Sequence, residues 1–241
     1  MQIGLSPNRN LVTIVCLLTA AVSARADKNN KFELNLSRYR GNSIAYFDRG
    51  ITEMDKGNLA GARQAFDSAI GDDDQLWPAY LMRAQVFQQL RKYDQALQDC
   101  NAAARLKPQF TRTFIIRAQV YWELHQCAKG LADLDRVIAI HSTPESVAFA
   151  LSIRARLHAN CENSPAHDPK KALEDATRAC QLDGWHMADY IESLAFAYAA
   201  NGDFDSAIRY EKKAIDSGRL LPEKLKDAEQ RLDYLQKRQS H

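Results

Sequence analysis

The sequence predicts an all-α chain built as a stack of helical hairpins, and three observations carry that prediction. A pattern of residues returns every 34 positions. Only 10 of the 241 residues are glycine. Pro78, Pro108, Pro144, Pro165, Pro169 and Pro222 all fall at expected junctions or first turns, where proline suits a helix, and none falls in a helix interior. The composition, 46% hydrophobic and 26% charged, is that of an ordinary globular chain.

The N-terminus reads as a separate element. Arg9 and Asn10 precede the uncharged run LVTIVCLLTAAVSA, Leu11 to Ala24. A membrane-spanning helix needs about 20 apolar residues, so this run is short. It ends in Ala24-Arg25-Ala26, a small-x-small pattern of the kind cleaved from secretory signal peptides. Residues 1–26 are therefore expected to be a signal peptide, with residues 27–42 a linker and the mature chain exported. Cys16 follows Val15 rather than a small residue, which argues against a lipid anchor. Cleavage would remove Arg9 and Arg25 and no acid, lowering Lys+Arg from 32 to 30 against 30 Asp+Glu. A nucleic-acid binder normally carries a basic surplus, and this chain does not.

The repeat begins after the linker. Blocks start at Ser43, Trp77 and Thr111, with a fourth from about Ala148 and a fifth from Ala188. Aligning them reveals three rows of small residues. The first is Gly50, Ala84, Ala118, Ala155, Ala195; the second is Ala62, Ala96, Gly130, Ala172, Ala207; the third is Ala69, Ala103, Val137, Ala179, Ala214. A bulky row runs Tyr46, Tyr80, Phe114, Leu151, Ile191. Small residues let two helices approach closely while bulky ones fill the holes between them, and the apolar positions recur at helical spacing. Blocks 43–76, 77–110, 111–144, 148–187 and 188–221 thus each read as one hairpin. Pro222 then opens an amphipathic helix with Leu225, Ala228, Leu232 and Leu235 on one face, covering the last repeat within 222–241.

These rows and their period resemble the tetratricopeptide repeat, a helix–turn–helix of 34 residues, over nearly all of the mature chain. Two departures stand out: Ala replaces Gly in four positions of the first small row, and Glu211 sits where a bulky apolar residue is usual. The resemblance implies an all-α, right-handed superhelical solenoid of about five hairpins plus a C-terminal capping helix. It also implies a concave face, lined chiefly by first helices, that binds a protein or peptide. Mapped onto this chain, that face includes Phe47, Ile51, Leu81, Gln85, Gln88, Arg112, Ile115, Gln119, Trp122 and Arg156. Amides can donate and accept along a peptide backbone, and Trp122 offers a flat anchor. One subclass of the family clamps carboxyl-terminal tails with paired Lys and Asn. The corresponding places hold Phe47, Ile51, Leu81, Gln85, Ile115 and Gln119, so that clamp is absent. A second reading uses the same groove for an envelope glycan or small molecule.

Another row is electrostatic. Arg49, Arg83, Arg117 and Arg154 are equivalent, with Leu194 in the fifth place; the facing positions are Ala65, Asp99, Asp133, Asp175 and Tyr210. The expectation is an ion pair within each of the three middle hairpins rather than an arginine track for phosphates.

No glycine-rich phosphate loop, G-x-S-x-G or H-E-x-x-H occurs, and the repeats leave no room for a catalytic domain. The chain is expected to be no enzyme and to carry no cofactor. The remaining irregularity is ANCENSPAHDPKKA at 159–172. From Ala155 to Ala172 is 17 residues where 12 is the rule, a five-residue insertion at a hairpin turn. Four cysteines remain after cleavage and allow three full pairings. Cys100 and Cys180 fall on semi-buried rows of second helices. Cys127 lies at the turn of the third hairpin and Cys161 at the end of the fourth first helix, so Cys127–Cys161 is the expected disulfide in an oxidising compartment. His158, Cys161, His167 and Asp168 match no standard zinc spacing. His158 shares the row of Phe87, Tyr121 and Tyr198, so it is expected to be packed in the core and no metal site is expected.

Overall fold

A computed structural model describes residues 41–140, 143–161 and 164–239. The expected signal peptide and all but the last two linker residues lie outside these. Every regular element among the described residues is an α-helix, and the chain divides into two compact units, Met1–Ile116 and Arg117–His241.

The first unit holds helices α1 (Ser43–Asp55), α2 (Leu59–Asp72), α3 (Trp77–Gln89), α4 (Tyr93–Leu106) and the start of α5 (Thr111–Glu123). Consecutive helices pair, α1 with α2 and α3 with α4, and α2 packs on α3. Asn58 caps α2 by accepting from the Gly61 amide at 3.1 Å. The α3–α4 turn closes with Lys92 N–H donating to the Phe87 carbonyl at 2.8 Å, across Arg91 at φ +58°. Phe66, Leu81, Ala84, Cys100 and Ile116 share the core. Close approach explains the small rows: a Cβ on Gly50 would lie 2.4 Å from the Phe66 ring, so no alanine fits in this repeat. Arg83 grips Asp99 through two bonds, Nε to Oδ2 at 2.8 Å and Nη2 to Oδ1 at 2.7 Å. Its Nη1 reaches back to Asp67 on α2 at 2.8 Å. The arginine therefore joins successive hairpins as well as the helices of one, a link the sequence alignment did not anticipate.

The second unit contains the rest of α5, then α6 (Cys127–Ala139), α7 (Pro144–Asn160), α8 (Pro169–Leu182), α9 (Ala188–Ala200), α10 (Phe204–Asp216) and α11 (Pro222–Gln239). The same devices recur. Gly130 lies where a Cβ would meet Leu157 at 2.9 Å. Arg117 pairs with Asp133 at 2.7 and 2.6 Å. Arg154 pairs with Asp175, both bonds at 2.7 Å, and also with Asp135 on the preceding second helix at 2.5 Å. Tyr210, which replaces the aspartate, stacks on Tyr198 with centroids 5.3 Å apart. Arg49, facing Ala65, stays exposed.

Two features differ from the sequence-based expectation. Helix α7 starts at Pro144, a turn before Ala148, because the Thr143 side chain accepts from the Ser146 amide and Pro144 suits the first turn. Glu211 is buried and is satisfied by α11: Arg231 donates to it from Nε at 3.2 Å and Nη2 at 2.9 Å, and also to Glu192 on α9. Lys224 on α11 pairs with Asp189 on α9. The terminal helix is thus held by buried charges as well as by Ala228 and Leu235.

The insertion after α7 is an ordered turn at its described residues. Cys161 ends the helix and is disulfide-bonded to Cys127, with Cα atoms 6.4 Å apart, while Cys100 and Cys180 are buried and lie outside the bridge. His158 is buried and spends Nδ1 on the Ala166 carbonyl at 2.8 Å; its own carbonyl accepts from the Asp168 amide. Asp168 then caps α8.

Two predictions follow from these elements. The bridge closes a 34-residue separation, which chain entropy values at roughly 3–4 kcal/mol. The Cys127→Ser/Cys161→Ser variant should lose about 10 °C in thermal midpoint relative to the oxidised chain; equal midpoints with and without reductant would contradict this. Burial, reinforced by Glu192 and opposed by Arg231, pushes the Glu211 carboxyl up from 4.5 to about 7. Between these values the folded state holds a proton that the unfolded state releases, so this group's contribution to stability rises as pH falls from 7 towards 5. Glu211→Gln should flatten that segment of a thermal-midpoint-against-pH curve, and an unchanged slope would sink the assignment.

Candidate functional site

The ten residues expected to line the binding face divide between the units. Phe47, Ile51, Leu81, Gln85, Gln88, Arg112 and Ile115 belong to the first; Gln119, Trp122 and Arg156 belong to the second. Most are less exposed than a solvated inner face would require. Phe47 packs against Phe66 with centroids 5.8 Å apart. Leu81, Gln85, Gln88, Ile115, Gln119 and Arg156 are buried as well, whereas Ile51, Arg112 and Trp122 are half-buried.

The first unit concentrates an anomaly. Folded proteins pair nearly all of their buried polar atoms, and an unpaired one costs about 1–3 kcal/mol. Among the described residues nine buried side-chain nitrogen and oxygen atoms have no hydrogen-bond partner, and seven of them belong to Gln85, Gln88, Arg112 and Thr113. Both carboxamides are orphaned completely, at Nε2 and Oε1. Arg112 lacks an acceptor at Nε and Nη2, and burial alone brings its pKa down to about 10. Among the described residues no carboxylate offsets that burial, in contrast to Arg83. All four residues lie on α3 and the first turn of α5, and Ile116, one turn further along α5, shares the core of Leu81 and Ala84. Thr113 was not foreseen from the sequence, since a threonine near a helix start reads as a capping or packing residue.

In the second unit the side chains are better engaged. Arg156 lies between aromatic faces, 5.9 Å from the Trp122 centroid and 4.8 Å from that of Phe196, and its Nη2 is 3.7 Å from Glu192. Its Nε is unpaired. Arg231 approaches Phe196 from α11 at 4.9 Å. Trp122, Arg156 and Phe196 therefore form one cluster, of which Trp122 and Arg156 were expected on the binding face; its connection to Arg231 was hidden because a terminal helix has no partner row in the repeat.

A surface depression of about 700 Å³ is lined by Trp185, Ile191, Arg209, Lys212 and Lys213, among others. The indole of Trp185 already carries Lys213 Nζ at 4.5 Å and stacks with Tyr210 at 6.1 Å, so its ring is engaged within the fold.

Comparison with known proteins agrees with this hairpin architecture. The tetratricopeptide repeat model matches residues 78–110, the α3–α4 hairpin. DnaJ homolog subfamily C member 7 of Homo sapiens is 23% identical over 145 residues, 58% of this chain, and the chain spans 25% of that relative's length. Among solved structures, PilW, a widely conserved type IV pilus biogenesis factor, superposes with a TM-score of 0.66 at 18% identity, covering 76% of this chain and 80% of its own. YrrB, described as a TPR protein with an unusual peptide-binding site, superposes with a TM-score of 0.52 at 18% identity, over 83% and 93%. At this identity the structures speak for the fold alone. The repeat model is seated on α3 and α4, the same hairpin recurs before and after it, and the chain shares the all-helical fold of solved tetratricopeptide-repeat proteins.

Proposed function

We propose that this chain is an exported, non-catalytic scaffold that binds a protein or peptide segment along the face of its first helices. The carrying observation is the cluster of buried, unpartnered polar atoms on Gln85, Gln88, Arg112 and Thr113. A carboxamide offers both donor and acceptor, the complement of a peptide backbone. Retaining such groups without partners costs stability, a cost that a bound segment would offset. YrrB, of the same fold, is described as having a peptide-binding site, which accords with this use of the architecture.

The reactive side chains support a role without catalysis. Cys127 and Cys161 are spent on each other, His158 on a loop carbonyl, and burial pushes the Cys180 thiol up to about 12, away from a nucleophilic thiolate. Export rests on the N-terminal sequence pattern, and the Cys127–Cys161 bridge fits an oxidising compartment.

Two measurements test this. Immobilised residues 27–241 should retain a protein from an envelope extract of the native host. The Gln85→Ala/Gln88→Ala variant should keep its helical circular dichroism and thermal midpoint while retention falls about tenfold or more. Undiminished retention would remove these glutamines from the binding face, and retention competed by glycan fragments would favour the glycan reading. Cell fractionation with N-terminal sequencing should find the mature chain outside the cytoplasm starting at Asp27; an intact Met1 in the cytosol would overturn export.

A further inference from the structure

We infer that the segment docking on α3 and the start of α5 is acidic and places a carboxylate on Arg112. This inference rests on the binding role proposed above and goes further by naming the chemistry of the partner. The starting point is a contrast between arginines of the same unit. Arg83, half-buried like Arg112 though less enclosed, answers two aspartates, Asp99 and Asp67, at 2.7–2.8 Å. Among the described residues no carboxylate answers Arg112, and two of its guanidinium nitrogens, Nε and Nη2, are buried without a hydrogen-bond partner. A buried charge without a counter-charge is far costlier than an unpaired amide, so proteins rarely keep one without a use.

Arg112 as a whole is only half-buried, so part of its side chain is open to solvent while Nε and Nη2 are enclosed, and a docking segment meets them once the side chain swings outward. A planar guanidinium with free Nε and Nη2 presents the edge that binds a carboxylate through two parallel bonds. Gln85 and Gln88 on α3 bring four further unpaired atoms, both donors and acceptors. The demand of the face is therefore mixed: one anion together with groups that can both give and accept hydrogen bonds. An acidic side chain within a peptide meets both demands, whereas a neutral segment would leave the guanidinium uncompensated. The lysine–asparagine clamp of the family does not supply this reading, because its places are held here by Phe47, Ile51, Leu81, Gln85, Ile115 and Gln119.

Removing the charge should affect binding and stability in opposite directions. Arg112→Gln deletes an uncompensated buried cation, so the free protein should unfold at an equal or higher temperature while losing its preference for acid. The probes are two blocked peptides of about 12 residues, repeats of Asp-Leu-Glu-Ala and of Asn-Leu-Gln-Ala, followed by fluorescence anisotropy. The wild-type chain should bind the acidic peptide about tenfold more tightly, a margin within the value of a charge-assisted bond. In Arg112→Gln that margin should vanish, while Arg105→Gln, an exposed site on α4, should leave it intact. Equal binding of both peptides, or a preference that survives Arg112→Gln, overturns the acidic partner but leaves the binding face standing. Failure of the acidic peptide to bind at about 1 mM also overturns it, and the retention experiment with the glutamine variant then judges the face independently.

Discussion

The structure depends on how closely its paired helices can approach. Wherever a first helix crosses its second, a row of alanines or glycines stands at the contact, and most of these residues are completely buried. Gly50 and Gly130 mark the limit: a single added carbon would overlap Phe66 in one case and crowd Leu157 in the other. Close approach lets bulky, fully buried residues such as Phe66, Phe114 and Leu151 fill the spaces around the crossing. A hairpin alone leaves half of that surface bare, so each must lean on the next.

The arginine–aspartate row operates on top of this packing. Its bidentate geometry fixes the rotation of each second helix about its first, and the added bonds of Arg83 to Asp67 and Arg154 to Asp135 carry register from one hairpin to the next. Half-buried ion pairs add modest net stability because desolvation offsets much of the attraction; their value here is in specifying alignment. The same chemistry reappears where the repeat stops. Glu211, a misfit by the rules of the row, meets Arg231 of the terminal helix, so the break in the pattern is where the capping helix is recognised.

Legibility followed periodicity. The hairpins, the small rows and the pairing of Arg83, Arg117 and Arg154 each recur in several copies, and repetition turns a weak local preference into a strong register. The Cys127 and Cys161 positions could be compared because both sit at known places in that register. What the sequence concealed was what occurs once. The early start of α7 depends on a local cap by Thr143. The Glu192–Glu211–Arg231 cluster joins a repeat to a non-repeated helix. The depth of the candidate face was hidden for a further reason: a helical register tells which side a residue occupies but not how far it is buried. Gln85 and Gln88 therefore read as part of an open binding face, whereas they are enclosed and unpaired.

The central claim is that the first-helix side around α3 and α5 is where a partner lies. Site-specific photo-cross-linking in the native host tests it most directly. A photoreactive phenylalanine analogue at Ile51 or Gln89, both half-buried, would be compared with the analogue at Gln98, exposed on α4. The account predicts a discrete protein adduct from Ile51 and Gln89 and none from Gln98. Adducts from Gln98 alone, or equally from all three positions, would contradict it.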